Sequence, residues 1–141
     1  MASVERSIEV SAPRERVFRV VTDYEAYPDF LPEMEEVTVL SRAEGVVEAE
    51  FVLRIVKRVT YRLRLVEEST SKVTWTLLSG DLRENKGSWC LEDTDGGCRV
   101  TYAVTVEVGM FVPGAIQARL VGEQLTQMLG AFADRALETT K

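Results

Sequence analysis

The sequence predicts an α+β protein: a curved antiparallel sheet of about seven strands, two short helices after the first strand, and a long C-terminal helix. Three observations carry that prediction. Apolar residues alternate with polar ones along most of residues 37–108, the period of strands with one buried and one solvated face. After Pro113 a helical apolar period takes over and runs for about seven turns. Near the start, Ser11-Ala12-Pro13-Arg14-Glu15 interrupts the strand pattern with a helix-start signal.

Taken in order, Val4, Arg6, Ile8 and Val10 set the first strand. Ser11 is the expected cap of the first short helix, with Pro13 near its first turn and Glu15 soon after. Val17, Phe18, Val20 and Val21 give that helix an apolar side, and it should end around Asp23. The next stretch reads YEAYPDFLPEM, in which Pro28 and Pro32 bracket Phe30 and Leu31 and restrict the backbone around them.

The strand runs that follow are Val47 to Ile55, Val59 to Leu65, Val73 to Leu77, Trp89 to Leu91 and Val100 to Val108. Turn signals separate several of them: Ala43-Glu44-Gly45, Ser69-Thr70-Ser71, Ser79-Gly80-Asp81 and Asp95-Gly96-Gly97. The junction between Ile55 and Val59 has no glycine. In the last helix, Ala118, Val121, Leu125, Met128, Leu129, Phe132 and Ala136 gather on one stripe, with Glu123, Gln127, Asp134 and Glu138 opposite.

Composition removes several functions. The 141 residues suit one domain, expected to span 1–141. A net charge of −6 argues against wrapping a nucleic-acid backbone, which needs clustered cations. The chain has no histidine, which removes the commonest metal ligand and the base of Ser-His and Cys-His catalysis. Cys98 shares the parity of Val100 whereas Cys90 is out of phase with Trp89 and Leu91, so the two should lie on different faces without a disulfide. They are also too few for a structural zinc, and neither a metal nor a cofactor is expected. No secretory pattern and no membrane span are present, so a cytoplasmic location is expected, with transient membrane contact left open.

The order of elements resembles the helix-grip fold of the START-like superfamily, which includes polyketide cyclases and dehydrases. Tyr27-Pro28-Asp29-Phe30-Leu31-Pro32 is similar to the Y-P-x-F-L-P segment of the coenzyme Q-binding proteins and bacterial ribosome-association toxins. Trp75, Gly80 and Gly87-Ser88-Trp89 match their sheet motif in spacing, and Phe132-Ala133-Asp134-Arg135-Ala136 looks like the A-F-x-x-R-A end of their last helix. Where those families carry Pro-Phe after the glycine and an aliphatic residue near position 85, this chain has Asp81, Leu82 and Asn85.

The resemblance implies a cavity between sheet and long helix, of the kind that holds lipids, sterols, quinones or polyketides in this superfamily. Strand parity points Phe51, Leu53, Tyr61, Leu63, Trp75, Leu77, Trp89 and Tyr102 inward, as core or as cavity wall. Arg83 and Asn85 share the parity of Trp89 and so face in as well, unless residues 81–86 form an irregular strand start in water. The long helix adds Val121, Leu125 and Met128. Phe30, Leu31 and Phe111, on two apolar loops, either guard a mouth or fold back as a plug.

On the outer face, Arg54, Arg58, Arg62 and Arg64, with Lys57 nearby, form either a solvated face balanced by Glu48, Glu50, Glu67 and Glu68 or a ribosome contact. The expectation is a protein that binds and carries a small hydrophobic ligand (a quinone, isoprenoid or other lipid) without chemistry. No catalytic residue stands out. A cyclase-dehydrase using pocket Tyr and Arg, and a ribosome-association module, are the alternatives.

Overall fold

The alternating runs become seven antiparallel strands of one sheet, in the order β1-β7-β6-β5-β4-β3-β2. The computed structural model describes residues 2–54, 58–108 and 114–138. Along the chain, β1 (Ala2–Val10) leads into α1 (Arg14–Val21) and a 3-10 helix (Tyr24–Asp29). Six strands follow: β2 (Met34–Ala43), β3 (Val46–Arg54), β4 (Arg58–Glu68), β5 (Lys72–Gly80), β6 (Leu82–Thr94) and β7 (Gly97–Val108). The long helix α2 (Gly114–Glu138) comes last. This is the expected α+β architecture.

The strands alternate as their sequences require. Along β4, Val59, Tyr61, Leu63 and Leu65 are buried while Arg58, Arg62 and Arg64 are exposed. The stripe of α2 also behaves as read: Leu125, Leu129, Phe132 and Ala136 are buried against the sheet's inner face, with Met128 packed beside them. The β2–β3 turn at Glu44 and Gly45 takes positive φ at both residues, the twist that suits a tight hairpin. β2 lies at the sheet edge and carries two bulges, between Met34 and Glu36 and between Val39 and Ser41.

Two local expectations are corrected. Ser11 does not cap α1: Pro13 holds the cap position, without a side-chain bond, and its carbonyl accepts from Arg16 N and Val17 N at 3.0 and 3.2 Å. The ring fixes an extended-to-helical entry that needs no hydroxyl. Arg83 does not face inward. A bulge between Leu82 and Glu84 inserts one extra residue in β6, so Leu82 takes the buried position and Arg83 is exposed.

The basic outer face is balanced. Glu35 accepts from Arg54 Nε and Arg58 Nε, each at 2.9 Å, and Glu50 pairs with Arg62 at 3.2 Å. Arg64 lies opposite Glu48 in the β3–β4 register. Lys57 lies outside the described residues. Cys90 and Cys98 are both free thiols, and burial pushes the Cys98 thiol up.

Candidate functional site

The segment YPDFLP is built into the fold from both sides. Pro28 sits within the 3-10 helix, and Phe30 N and Leu31 N both donate to the Tyr27 carbonyl. The Tyr27 hydroxyl donates to the carbonyl of Val21, satisfying an orphan acceptor at the end of α1. Leu31 is buried in the core, and the half-buried Phe30 packs edge-on to Phe132 of α2. The pair is a plug.

Phe132 joins three segments that are far apart in sequence. Its ring meets Tyr27 at 5.1 Å, Phe30 at 5.0 Å and Trp89 at 4.8 Å between centroids, each edge-to-face. One turn on, Arg135 lies over the Phe30 ring at 5.3 Å and reaches Asp29 at 3.8 Å. The loop segment, the Gly-Ser-Trp of β6 and the end of the last helix therefore meet in one aromatic lock. On its outer side, Phe30 borders a cleft of about 100 Å³ rimmed by Arg16, Arg19 and Arg135. Nothing local in the sequence marks this cleft, because α1 and α2 contribute its arginines from opposite ends of the chain.

Away from the lock, the inner face of the sheet continues as a chain of rings. Phe51 stacks on Tyr61 at 5.5 Å and 11°, and Tyr102 bridges Trp89 and Trp75 at 4.6 and 5.2 Å. Leu63 is buried here, and Leu53 and Leu77 pack against the same core. Asn85 is buried and accepts from Trp75 Nε1 at 3.0 Å. Gly87 makes room for this indole: a Cβ there would stand 2.7 Å from Trp75 Cζ2. Of the predicted residues, Phe111 lies outside the described residues, as does the side chain of Val121.

Two phenols in this interior have unusual surroundings. Tyr61 is buried, Tyr102 is half-buried, and neither hydroxyl has a hydrogen-bond partner among the described residues. Burial raises both well above the ordinary value of 10, and Tyr61 adds to the shift of Tyr102. Both therefore keep their protons through the neutral range, where a phenol can donate and accept hydrogen bonds. Among the described residues no cluster of carboxylates and thiols could hold a metal ion.

Residues 10–133 match the family described as polyketide cyclase/dehydrase and lipid transport. The chain belongs to that family. The chain is 26% identical over 137 residues to the ribosome association toxin RatA of Pseudomonas aeruginosa, covering 94% of each chain. It is 26% identical over 140 residues to RatA of Vibrio cholerae, covering 96% of each. Among solved structures, a START superfamily protein from Mycobacterium smegmatis superposes with a TM-score of 0.89 at 22% identity, over 99% of this chain and 100% of that one. The Zhui aromatase/cyclase from Streptomyces sp. R1128 superposes with a TM-score of 0.80 at 16% identity, over 99% and 95%. These likenesses establish the START-like helix-grip fold. The loop segment, the β6 tryptophan and the end of α2 pack together through Phe132.

Proposed function

We propose that the chain binds a small hydrophobic ligand, a quinone, isoprenoid or other lipid, between the sheet and α2, and carries or presents it without chemistry. The observation that carries this reading is the pair of phenols on an aromatic wall. Tyr61 and Tyr102 bring two hydroxyls to the ring-lined inner face that Asn85 shares, and the described residues give neither a hydrogen-bond partner. One or two polar groups in an apolar site orient a ligand's oxygen. The family description, which names lipid transport beside cyclisation, supports the same reading.

The test is native mass spectrometry of protein purified from producing cells, followed by organic extraction. The expected result is an added mass, released by extraction as an apolar molecule. Protein that is ligand-free and sediments with ribosomes overturns the reading in favour of an interaction module. Turnover of a poly-β-keto substrate, lost on Tyr61→Phe or Tyr102→Phe, overturns it in favour of a cyclase.

A further inference from the structure

The hydrogen bond from Trp75 Nε1 to Asn85 Oδ1, at 3.0 Å, fixes more than two side chains. An indole N–H only donates, so the atom facing it must be the carboxamide oxygen. The amide NH2 is therefore turned away from Trp75, and its direction is set by chemistry rather than by choice of rotamer. Asn85 is 8% exposed, and its Nδ2 has no partner among the described residues. Among the described residues Arg14 Nε is the one side-chain nitrogen or oxygen that is both sealed and unpartnered, and Asn85 Nδ2 is not so sealed.

The surroundings offer that nitrogen little. Across the β6–β7 ladder Asn85 faces Val106, and the next inner-face position, Gly87, faces Val104. Pairing between β5 and β6 ends at Trp75 and Gly87. The Trp75–Asn85 bond spans the place where the two strands part. Asn85 also lies four residues before Trp89, roughly 13 Å along the strand from the aromatic lock. It is thus clear of the plugged end.

We propose that Asn85 determines ligand class: its amide N–H donates to an oxygen acceptor on the bound molecule, selecting carbonyl-bearing apolar ligands over hydrocarbons of the same shape. The inference rests on the ligand-binding reading above. Because Oδ1 is already engaged, Asn85 cannot turn to serve a ligand that only donates. A ligand with no acceptor leaves the buried NH2 unmatched, a difference that corresponds to about tenfold in affinity.

The matched probes are acetylnaphthalene and ethylnaphthalene of the same substitution pattern, titrated into the full-length protein by calorimetry. The ketone should bind about tenfold more tightly to the wild type. Asn85→Leu should bind both alike, and Trp75→Phe, which frees the carboxamide to turn over, should narrow the preference. In the wild type alone, the ketone should shift the Asn85 side-chain amide resonances, a readout that does not depend on either variant folding. Equal wild-type affinities overturn this inference and leave the ligand-binding reading intact. A ketone preference that persists in both variants assigns the donor elsewhere and also overturns it. If neither probe binds, the reading and the inference fall together.

Discussion

The Phe30 ring stands edge-on to Phe132, with centroids 5.0 Å apart and planes at 87°. Phe132 is 3% exposed and also meets Tyr27 and Trp89, so its loss would remove the common partner of three rings. Phe132→Ala should lower stability by about 3–5 kcal/mol, the range for emptying a buried aromatic site. Phe30→Ala should cost less, because Phe30 is only half-buried. Urea unfolding of the two variants checks the order, and a larger loss for Phe30→Ala would show that the lock is centred on the loop instead.

All four tyrosines of the chain, Tyr24, Tyr27, Tyr61 and Tyr102, are raised above 10, with burial as the first cause in each. For Tyr24 the hydrogen bond to Glu67, at 2.7 Å, raises it further. The unfolded chain ionises its tyrosines near pH 10, and the folded chain only above that. Their contribution is therefore complete below about pH 10 and is lost as pH rises beyond it. Tyrosinate ultraviolet absorbance should stay low at about pH 11 while circular dichroism remains native, and the two signals should then change together. Two or more tyrosines titrating reversibly before unfolding would mean that water reaches the ring chain.

Gly87 touches two strands at once. A Cβ at this position would lie 2.2 Å from the Ala103 carbonyl oxygen and 2.7 Å from Trp75 Cζ2. Gly87→Ala should therefore destabilise by about 1–3 kcal/mol or more, and it should alter tryptophan emission by displacing Trp75. Gly96→Ala is the control, since a Cβ there meets nothing within 4 Å. That variant should stay within about 0.5 kcal/mol of the parent.

The sheet and the long helix were legible because each signal is local. Alternation along Val59 to Leu65 and the stripe from Leu125 to Ala136 depend only on neighbours in the same element. Arg83 was misread because parity holds only while the register does, and the bulge beside it breaks the register without leaving a glycine or proline to announce it. Asn85 was readable as inward-facing, but its bond to Trp75 was not, since that depends on where β5 and β6 stop pairing. The segment around Phe30 could be marked by likeness while its contact with Phe132 stayed hidden. No sequence pattern measures a contact between opposite ends of a chain.

The bulges of β2 bear on what this protein does in a crowd. A strand at a sheet edge offers a row of unpaired N–H and C=O groups to any passing chain. Here that row is broken near Met34 and again near Val39, and the Val39 N–H is already turned to Glu25 Oε2 at 3.2 Å. Leu40, next in line, is 46% exposed but sits at the second bulge, where an incoming strand cannot keep its spacing. The same irregularity that breaks the β2 register thus hinders strand addition at this edge.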